Sequence, residues 1–144
     1  MKVLVLNGPN LNLLGERNPN IYGNETYSDL IQKIKDRARE LDVEVCFFQS
    51  NCEGKLIDRL QEARLKENAV IFNPGAYSHT SIALMDAIDS INIPCVEVHI
   101  SNIYKREDYR QKSITAKACK ASVVGLGTDG YLSALEAIYR MNIK

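Results

Sequence analysis

Short apolar runs alternate along the chain with longer segments of helical periodicity. The apolar runs are rich in β-branched residues and show little strict alternation, which is typical of parallel strands covered on both faces. Five strands are predicted, at Lys2–Leu6, Val43–Gln49, Ala69–Asn73, Cys95–Ile100 and Ser122–Gly125. Four helices are predicted, at Tyr27–Leu41, Glu53–Lys66, Ser81–Ile91 and Gly130–Met141. A capping box, Thr26-x-x-Asp29, opens the first of them.

This alternation of strands and helices predicts βαβ units and therefore a doubly wound parallel sheet. We expect an α/β protein with the flavodoxin-like strand order, in which strands one, three and four are neighbours and strand two lies at an edge. The sequence contains no internal repeat, low-complexity segment or linker. Residues 1–144 are therefore expected to form one domain.

One long polar segment, Gly8–Gly23, interrupts the alternation of strands and helices after the first strand. It is rich in Asn, Gly and Pro, and long loops of this kind are more often functional than idle. Ligands of parallel α/β sheets bind beyond the carboxyl ends of the strands. The loop should therefore meet the segments that follow strands three and four. Together these segments carry both histidines, an arginine and a tyrosine, namely His79, His99, Arg17 and Tyr22.

Composition narrows the possible functions. The 144 residues include 18 basic and 18 acidic side chains, so the net charge is zero, and 45% of the residues are hydrophobic. This balance argues against a disordered chain and against a nucleic-acid binder that works through a global basic field. No apolar run approaches the roughly 20 residues of a membrane span, and the N-terminal apolar core is too short for a secretory signal. The cysteines form no CxxC pair and lie mostly in apolar segments, which indicates reduced, buried thiols in a cytoplasmic protein.

Several familiar motifs are absent or misleading. The sequence has no P-loop, and neither histidine has a second ligand at metal spacing, so no metal site is expected. Residues 125–130 match GxGxxG between a strand and a helix. Too few residues follow for a dinucleotide site, so we interpret the motif as a tight turn that allows close packing of helix on strand.

Each candidate residue also has an ordinary structural interpretation. Tyr22 is compatible with a surface tyrosine, His99 with a satisfied buried histidine, and His79 with part of a helix cap. Asp86 falls within a helix, where it is by default a solvated residue. Residues 104–120 carry six basic and two acidic side chains, a local charge of +4. Such a segment is normally a solvated face, but beside the crevice it would attract a small anion.

Several blocks of the sequence closely resemble the type II 3-dehydroquinate dehydratases, in order and at the family's spacing over nearly the whole chain. They are Gly8-Pro9-Asn10-Leu11-Asn12, Gly15-x-Arg17-x-Pro19-x-x-Tyr22-Gly23, Asn73-x-Gly75-Ala76-x-x-His79-Thr80-Ser81, Glu97-Val98-His99-x-Ser101-Asn102 and Gly125-Leu126-Gly127-x-x-Gly130-Tyr131. Asn18 stands where the family usually has Glu, and Ser78 where Thr is commoner. Residues 116–121 are also atypical, and we expect them to lie past the site.

The resemblance implies anti elimination of water from 3-dehydroquinate to give 3-dehydroshikimate through an enolate, a step of the shikimate pathway. It implies no metal, no cofactor, no lysine Schiff base, and neither nucleic acid nor membrane as a partner. By the same resemblance Tyr22 is the base, Arg17 favours its phenolate, His99 donates a proton to the departing hydroxyl, and Asn10 holds a water against the enolate oxygen. The implied substrate-binding residues are Asn73, His79, Asp86, Ile100, Ser101 and Arg110. Asp86 would act across a subunit contact, in a dodecamer built from trimers.

Two other interpretations stay open from the sequence. One is a different proton-abstracting lyase or isomerase that uses the same Tyr, Arg and His set on a small hydroxy-carboxylate. The other is a flavodoxin-like module that binds a flavin or a nucleotide phosphate. The loop after the first strand lacks the run of Ser and Thr hydroxyls that a phosphate cradle uses, which argues against the module.

Overall fold

A parallel sheet of five strands forms the centre of the molecule. The computed structural model describes residues 1–142, apart from the side chains of Pro19, Tyr22 and Asn142. The strands are β1 (Lys2–Asn7), β2 (Glu44–Gln49), β3 (Ala69–Asn73), β4 (Cys95–His99) and β5 (Ala121–Val124). Their order in the sheet is β2-β1-β3-β4-β5. The predicted flavodoxin-like order, with β2 at an edge and β1, β3 and β4 adjacent, is confirmed.

The helices are α1 (Pro19–Tyr22), α2 (Tyr27–Glu40), α3 (Glu53–Lys66), α4 (Ile82–Ser90) and α5 (Asp129–Asn142). The predicted capping box of α2 is confirmed, since Thr26 Oγ1 accepts from the Asp29 amide at 3.1 Å and Asp29 Oδ2 accepts from the Thr26 amide at 3.0 Å. Short α1 was not predicted, because four residues are too few to show a helical period. None of the helices in the described part of the chain is long and apolar enough to cross a membrane.

Helices cover both faces of the sheet. Alternate side chains of β1 point to opposite faces, with Val3 and Val5 on one and Leu4 and Leu6 on the other. The first face packs against apolar residues of α2 and α5, and the second against those of α3 and α4. Burial on both faces explains why the central strands are continuously apolar.

Two glycines mark places where backbone segments pack closely. A Cβ on Gly8 would lie 2.4 Å from the carbonyl oxygen of Pro74, and the Gly8 amide donates to Asn73 O at 2.8 Å. The loops after β1 and β3 are therefore pressed together as they leave the sheet. A Cβ on Gly130 would lie 3.3 Å from Val98 Cγ1 and 3.4 Å from Val123 Cγ1. This confirms that the GxGxxG segment is a tight turn that lets α5 approach the sheet.

The cysteines are free thiols, but their burial is not uniform. Cys95 is buried, Cys46 and Cys119 are half-buried, and Cys52 is exposed. The prediction of buried thiols is therefore wrong for Cys52. That residue is the N-cap of α3, and a residue at this end of the helix lies at the surface rather than on the face that packs against the sheet.

Candidate active site

A cleft of about 690 Å³, counting the open space at its mouth, lies at the carboxyl end of the sheet. The predicted residues that line it are Asn10, Arg17, Asn73, His79, His99, Ile100, Ser101 and Arg110. They come from the loops that follow β1, β3 and β4. The remaining lining residues are Pro9, Leu11, Gly75, Ala76, Ile103 and Arg106. The size suits a small organic ligand.

A buried tyrosine forms hydrogen bonds with the residues that end β1 and β3, at the carboxyl end of the sheet. Asn7 and Asn73 are register partners, and Tyr131 of α5 donates to Asn7 Oδ1 at 2.6 Å and accepts from Asn73 Nδ2 at 2.9 Å. Burial raises the pKa of Tyr131, so its phenol stays protonated. Asn73 Oδ1 also accepts from the Gly75 amide at 3.1 Å. The Asn73 amide keeps one N–H and one lone pair for a ligand.

His99 forms a buried pair with Glu97. Its Nε2 lies 2.8 Å from Glu97 Oε2, and only 6% of the His99 side chain and 1% of the Glu97 side chain are exposed. Burial by itself would raise the pKa of the Glu97 carboxyl. Hydrogen bonds from His99, Ser113 and Thr115, with the positive charge of His99, outweigh that effect and hold the pKa below its ordinary value.

Because the Glu97 carboxylate can only accept hydrogen bonds, Nε2 of His99 carries the proton between them. Nδ1 is the ring nitrogen left for the cleft. His99 is thus both a satisfied buried histidine and a lining residue, so the two interpretations of it are compatible.

His79 is oriented by a main-chain oxygen. Its Nδ1 lies 2.8 Å from the carbonyl oxygen of Lys112, which can only accept, so Nδ1 carries a proton and Nε2 is the other ring nitrogen. The cap of α4 is Ser81, whose Oγ accepts from the Leu84 amide at 2.9 Å. His79 is therefore not the capping residue.

Positive charge dominates the polar lining of the cleft. Arg17, Arg106 and Arg110 contribute guanidinium groups, whereas the lining residues within the described part of the chain include no carboxylate. Arg106 Nη1 donates to Ser101 Oγ at 3.2 Å, and Arg110 Nε lies 2.7 Å from Glu107 Oε2. The basic segment predicted from residues 104–120 supplies two of these arginines. An anionic ligand is favoured here.

The Asn-rich loop owes part of its composition to backbone geometry. Asn10 has φ +69° and Asn18 has φ +42°, both in the left-handed region that asparagine tolerates better than most residues. Asn18, which departs from the resembled family, therefore fits its position. Ser78, the other departure, is buried with its Oγ 3.4 Å from His79 Nδ1.

Two predicted site residues are not placed in the cleft. Tyr22 ends α1, and its side chain lies outside the described part of the structure. Asp86 is exposed on α4 and does not line the cleft of its own chain. Among the residues that the structure describes, no three His, Cys, Asp or Glu side chains are grouped so that they could hold a metal ion.

Sequence reasoning missed the contributions of Glu97, Arg106, Ser113 and Thr115. A signal existed for Glu97, because residues two apart on a strand point to the same side. No local pattern marks Ser113 or Thr115, whose contacts with Glu97 depend on the path of the chain after β4. No residue of the atypical stretch 116–121 is among the cleft-lining residues, although Ala116 donates its amide to Ser113 Oγ at 3.1 Å.

Residues 1–139 match the family model described as dehydroquinase class II. The chain belongs to this family. It is 58% identical over 136 residues to a 3-dehydroquinate dehydratase of Clostridium botulinum, covering 94% of this chain and 92% of that protein. It is 52% identical to a 3-dehydroquinate dehydratase of Lachnoclostridium phytofermentans, covering 99% of each chain. The crystal structure of a type II dehydroquinase from Butyrivibrio crossotus superposes with a TM-score of 0.95 at 46% identity, over 96% of this chain and 97% of that one.

Proposed function

We propose that this protein is a type II 3-dehydroquinate dehydratase, a hydro-lyase of the shikimate pathway. It removes water from 3-dehydroquinate in an anti elimination and releases 3-dehydroshikimate. The observation that carries the proposal is a cleft lined by three arginines and by His99, which Glu97 holds from behind, in a chain of the dehydroquinase family. The comparisons give no support to a flavin or nucleotide module.

The first step is removal of the proton next to the ketone by Tyr22. A tyrosine has an ordinary pKa of about 10, so it acts as a base near neutral pH only if a cation favours its phenolate. Arg17 lines the cleft and lies in the same loop, which makes it the cation for this role. The electron pair of the broken C–H bond becomes the enolate.

The second step is departure of the hydroxyl. In its cationic form His99 gives the Nδ1 proton to the leaving oxygen, the C–O bond breaks, and the enolate electrons form the new C=C bond. Glu97 keeps its hydrogen bond to Nε2 throughout and stabilises the imidazolium before transfer. The oxygen leaves as water, so the site consumes no net proton over the cycle once the Tyr22 proton returns to His99 through solvent.

The other lining residues bind the substrate. Asn73, His79, the Ile100–Ser101 segment and Arg110 are assigned together to the substrate's carboxylate and hydroxyls, with Arg110 as a cation for the carboxylate. Asn10 is assigned to a water that supports the enolate oxygen, where preorganised donors stabilise developing charge. Closure of the 8–23 loop over the substrate would exclude water and strengthen these interactions.

Assembly is part of the proposal. Asp86 is exposed on α4, away from the cleft of its own chain, and a role for it in substrate binding therefore requires a neighbouring subunit. We assign it to a subunit contact in a dodecamer built from trimers, in the cytoplasm. Light scattering tests this, because a stable monomer at working concentration would exclude that role.

The activity is tested by mixing purified protein with 3-dehydroquinate in the presence of a chelator and without added cofactor. Formation of the conjugated enone gives an ultraviolet absorbance that grows with time. A preparation of Tyr22→Phe purified in parallel controls for contaminating enzymes. If the enone absorbance does not increase with the wild-type protein, the proposed function is wrong.

A further inference from the structure

We propose that Ser113 and Thr115 are positioning residues that act through Glu97 to hold the ring of His99 in its proton-donating orientation. The inference rests on the proposed function, since it assigns a purpose to the orientation of His99. Neither residue lines the cleft, so neither is expected to touch the substrate.

The hydroxyls of Ser113 and Thr115 donate hydrogen bonds to the two different oxygens of the Glu97 carboxylate. Ser113 Oγ donates to Oε2 at 2.6 Å, and Thr115 Oγ1 donates to Oε1. His99 Nε2 donates to the same Oε2 at 2.8 Å. Thr115 and Glu97 are each 0% exposed, so water does not substitute for the Thr115 hydroxyl.

The protons of the cluster can be assigned from its chemistry. Each hydroxyl has one proton, and both are used on Glu97. Ser113 Oγ in turn accepts from the Ala116 amide at 3.1 Å, which sets the direction of its own O–H. Glu97 therefore stays an acceptor on both oxygens, and the ring of His99 has one satisfactory arrangement, with Nε2–H toward Glu97 and Nδ1 toward the cleft.

The same segment also orients the other histidine. The carbonyl oxygen of Lys112 accepts from His79 Nδ1, and the Ile114 amide donates to Ser78 O at 2.6 Å. Residues 112–115 thus sit between the loop after β3 and the end of β4. The Lys112 carbonyl oxygen orients His79 directly, and the hydroxyls of Ser113 and Thr115 orient His99 through Glu97.

The test compares Thr115→Val, which keeps the side-chain shape and removes the hydroxyl, with Thr115→Ser, which keeps the hydroxyl. We expect Thr115→Val to lower kcat about tenfold, the rate equivalent of one hydrogen bond to a charged group. KM should change by less than about twofold, and Thr115→Ser should restore kcat to within about twofold of wild type. Ser90→Ala, which removes a hydroxyl that donates to Ala87 O at the end of α4, is the matched control and should behave as wild type.

A spectroscopic readout separates this inference from the proposed function. The chain has two histidines, so ¹⁵N-histidine labelling gives two ring systems, assigned with a His79→Gln variant. We expect the neutral ring of His99 to be one Nε2–H tautomer in the wild type and a mixture in Thr115→Val, where one hydroxyl fewer holds the carboxylate. This comparison stands even if the wild type does not turn over 3-dehydroquinate, an outcome that would overturn the proposed function alone.

Three results would overturn the inference itself. One is unchanged kcat and His99 ring signals in Thr115→Val. Another is a Thr115→Ser variant as impaired as Thr115→Val, which would show that the loss of kcat does not depend on the hydroxyl. If Thr115→Val does not fold, Ser113→Ala replaces it, and wild-type ring signals with wild-type kcat in that variant would contradict the role.

Discussion

Glu97 Oε2 accepts a hydrogen bond from His99 Nε2 across 2.8 Å inside the fold, and the two residues share one face of β4 because they are two positions apart. A buried carboxylate can only accept a hydrogen bond, so it fixes the orientation of the imidazole beside it. That orientation decides which nitrogen faces the cleft.

Replacement of Glu97 by glutamine should therefore impair proton donation more than binding. We expect Glu97→Gln to lower kcat about 100-fold, within the range of general-acid contributions, with a smaller change in KM. Steady-state kinetics by enone absorbance measures both constants. Glu44→Gln, at an exposed position of edge strand β2, is the control. A Glu97→Gln enzyme with wild-type kcat would remove the carboxylate from the reaction.

Replacement of His99 should separate the two chemical steps. In His99→Gln the hydroxyl loses its proton donor, so dehydration should fall by about 100-fold or more. Proton removal by Tyr22 does not need His99 and should continue. Incubation in D₂O followed by NMR of the recovered 3-dehydroquinate should show deuterium next to the ketone. Exchange that falls in parallel with dehydration would contradict this division of roles.

Arg17 and Tyr22 are expected to act as a unit. Arg17→Ala and Tyr22→Phe should each lower kcat by orders of magnitude while KM changes far less, because their interactions strengthen at the enolate-forming step. The double variant should be little worse than either single one. Asn20→Ala, an exposed position of the same loop, is the control. Additive losses in the double variant would show that the two side chains act independently.

Arg110 is expected to contribute mainly to substrate binding. Arg110→Ala should raise KM by about 10-fold or more, as expected for loss of a charge-assisted hydrogen bond to a carboxylate. Lys120→Ala removes the same charge from the same basic segment at an exposed position outside the cleft lining, so it distinguishes a contact from a general field. Equal effects of the two variants, or an unchanged KM in Arg110→Ala, would argue against a direct contact.

A buried ion pair far from the cleft predicts a pH dependence of stability. Arg59 Nη2 lies 2.8 Å from Glu67 Oε1, and the Glu67 side chain is 0% exposed. Burial raises the pKa of Glu67, but the hydrogen bond and charge of Arg59 prevail and lower it. The depressed pKa contributes stability above the unfolded-state value, and this contribution is lost as pH falls through the folded-state value.

Arg59→Met should lower the free energy of unfolding by about 3–5 kcal/mol at neutral pH, because it strands a buried carboxylate. Burial then raises the pKa of Glu67 above its ordinary value, so the variant should regain stability as the carboxyl protonates on acidification. Urea unfolding at neutral and acidic pH measures the difference. Arg64→Met, exposed on the same helix, is the control. The same pH slope in Arg59→Met and wild type would refute the assignment.

The secondary structure and sheet order were predictable because they depend on periodicity and on the topology of βαβ units. Predicted strand boundaries fall within about two residues of those observed, as for Cys95–Ile100 against β4 at Cys95–His99. Short α1 and the single-turn 3₁₀ segments were not predictable, since three to five residues carry no repeat. The burial predicted for the cysteines is wrong for Cys52, which lies in the polar stretch Gln49–Lys55 at the start of α3.

The site was only partly predictable. Strand ends and loop composition point to both histidines and to Arg17, and the family resemblance points to Arg110; these residues line one cleft. Arg106 is indicated only as part of the basic segment. Ser113 and Thr115 carried no signal, because hydroxyl residues are common in loops and their contact with Glu97 spans 16 and 18 positions of sequence.

The sequence by itself determined the alternation of strands and helices, the doubly wound topology, and the loops in which polar chemistry could collect. These properties follow from local periodicity and from the rule that parallel strands end at a common edge. Only the tertiary structure decided which nitrogen of each histidine faces the cleft. That choice depends on a carbonyl of residue 112 and a buried carboxylate held by two hydroxyls, and distance and direction between such groups exist only once the chain has packed.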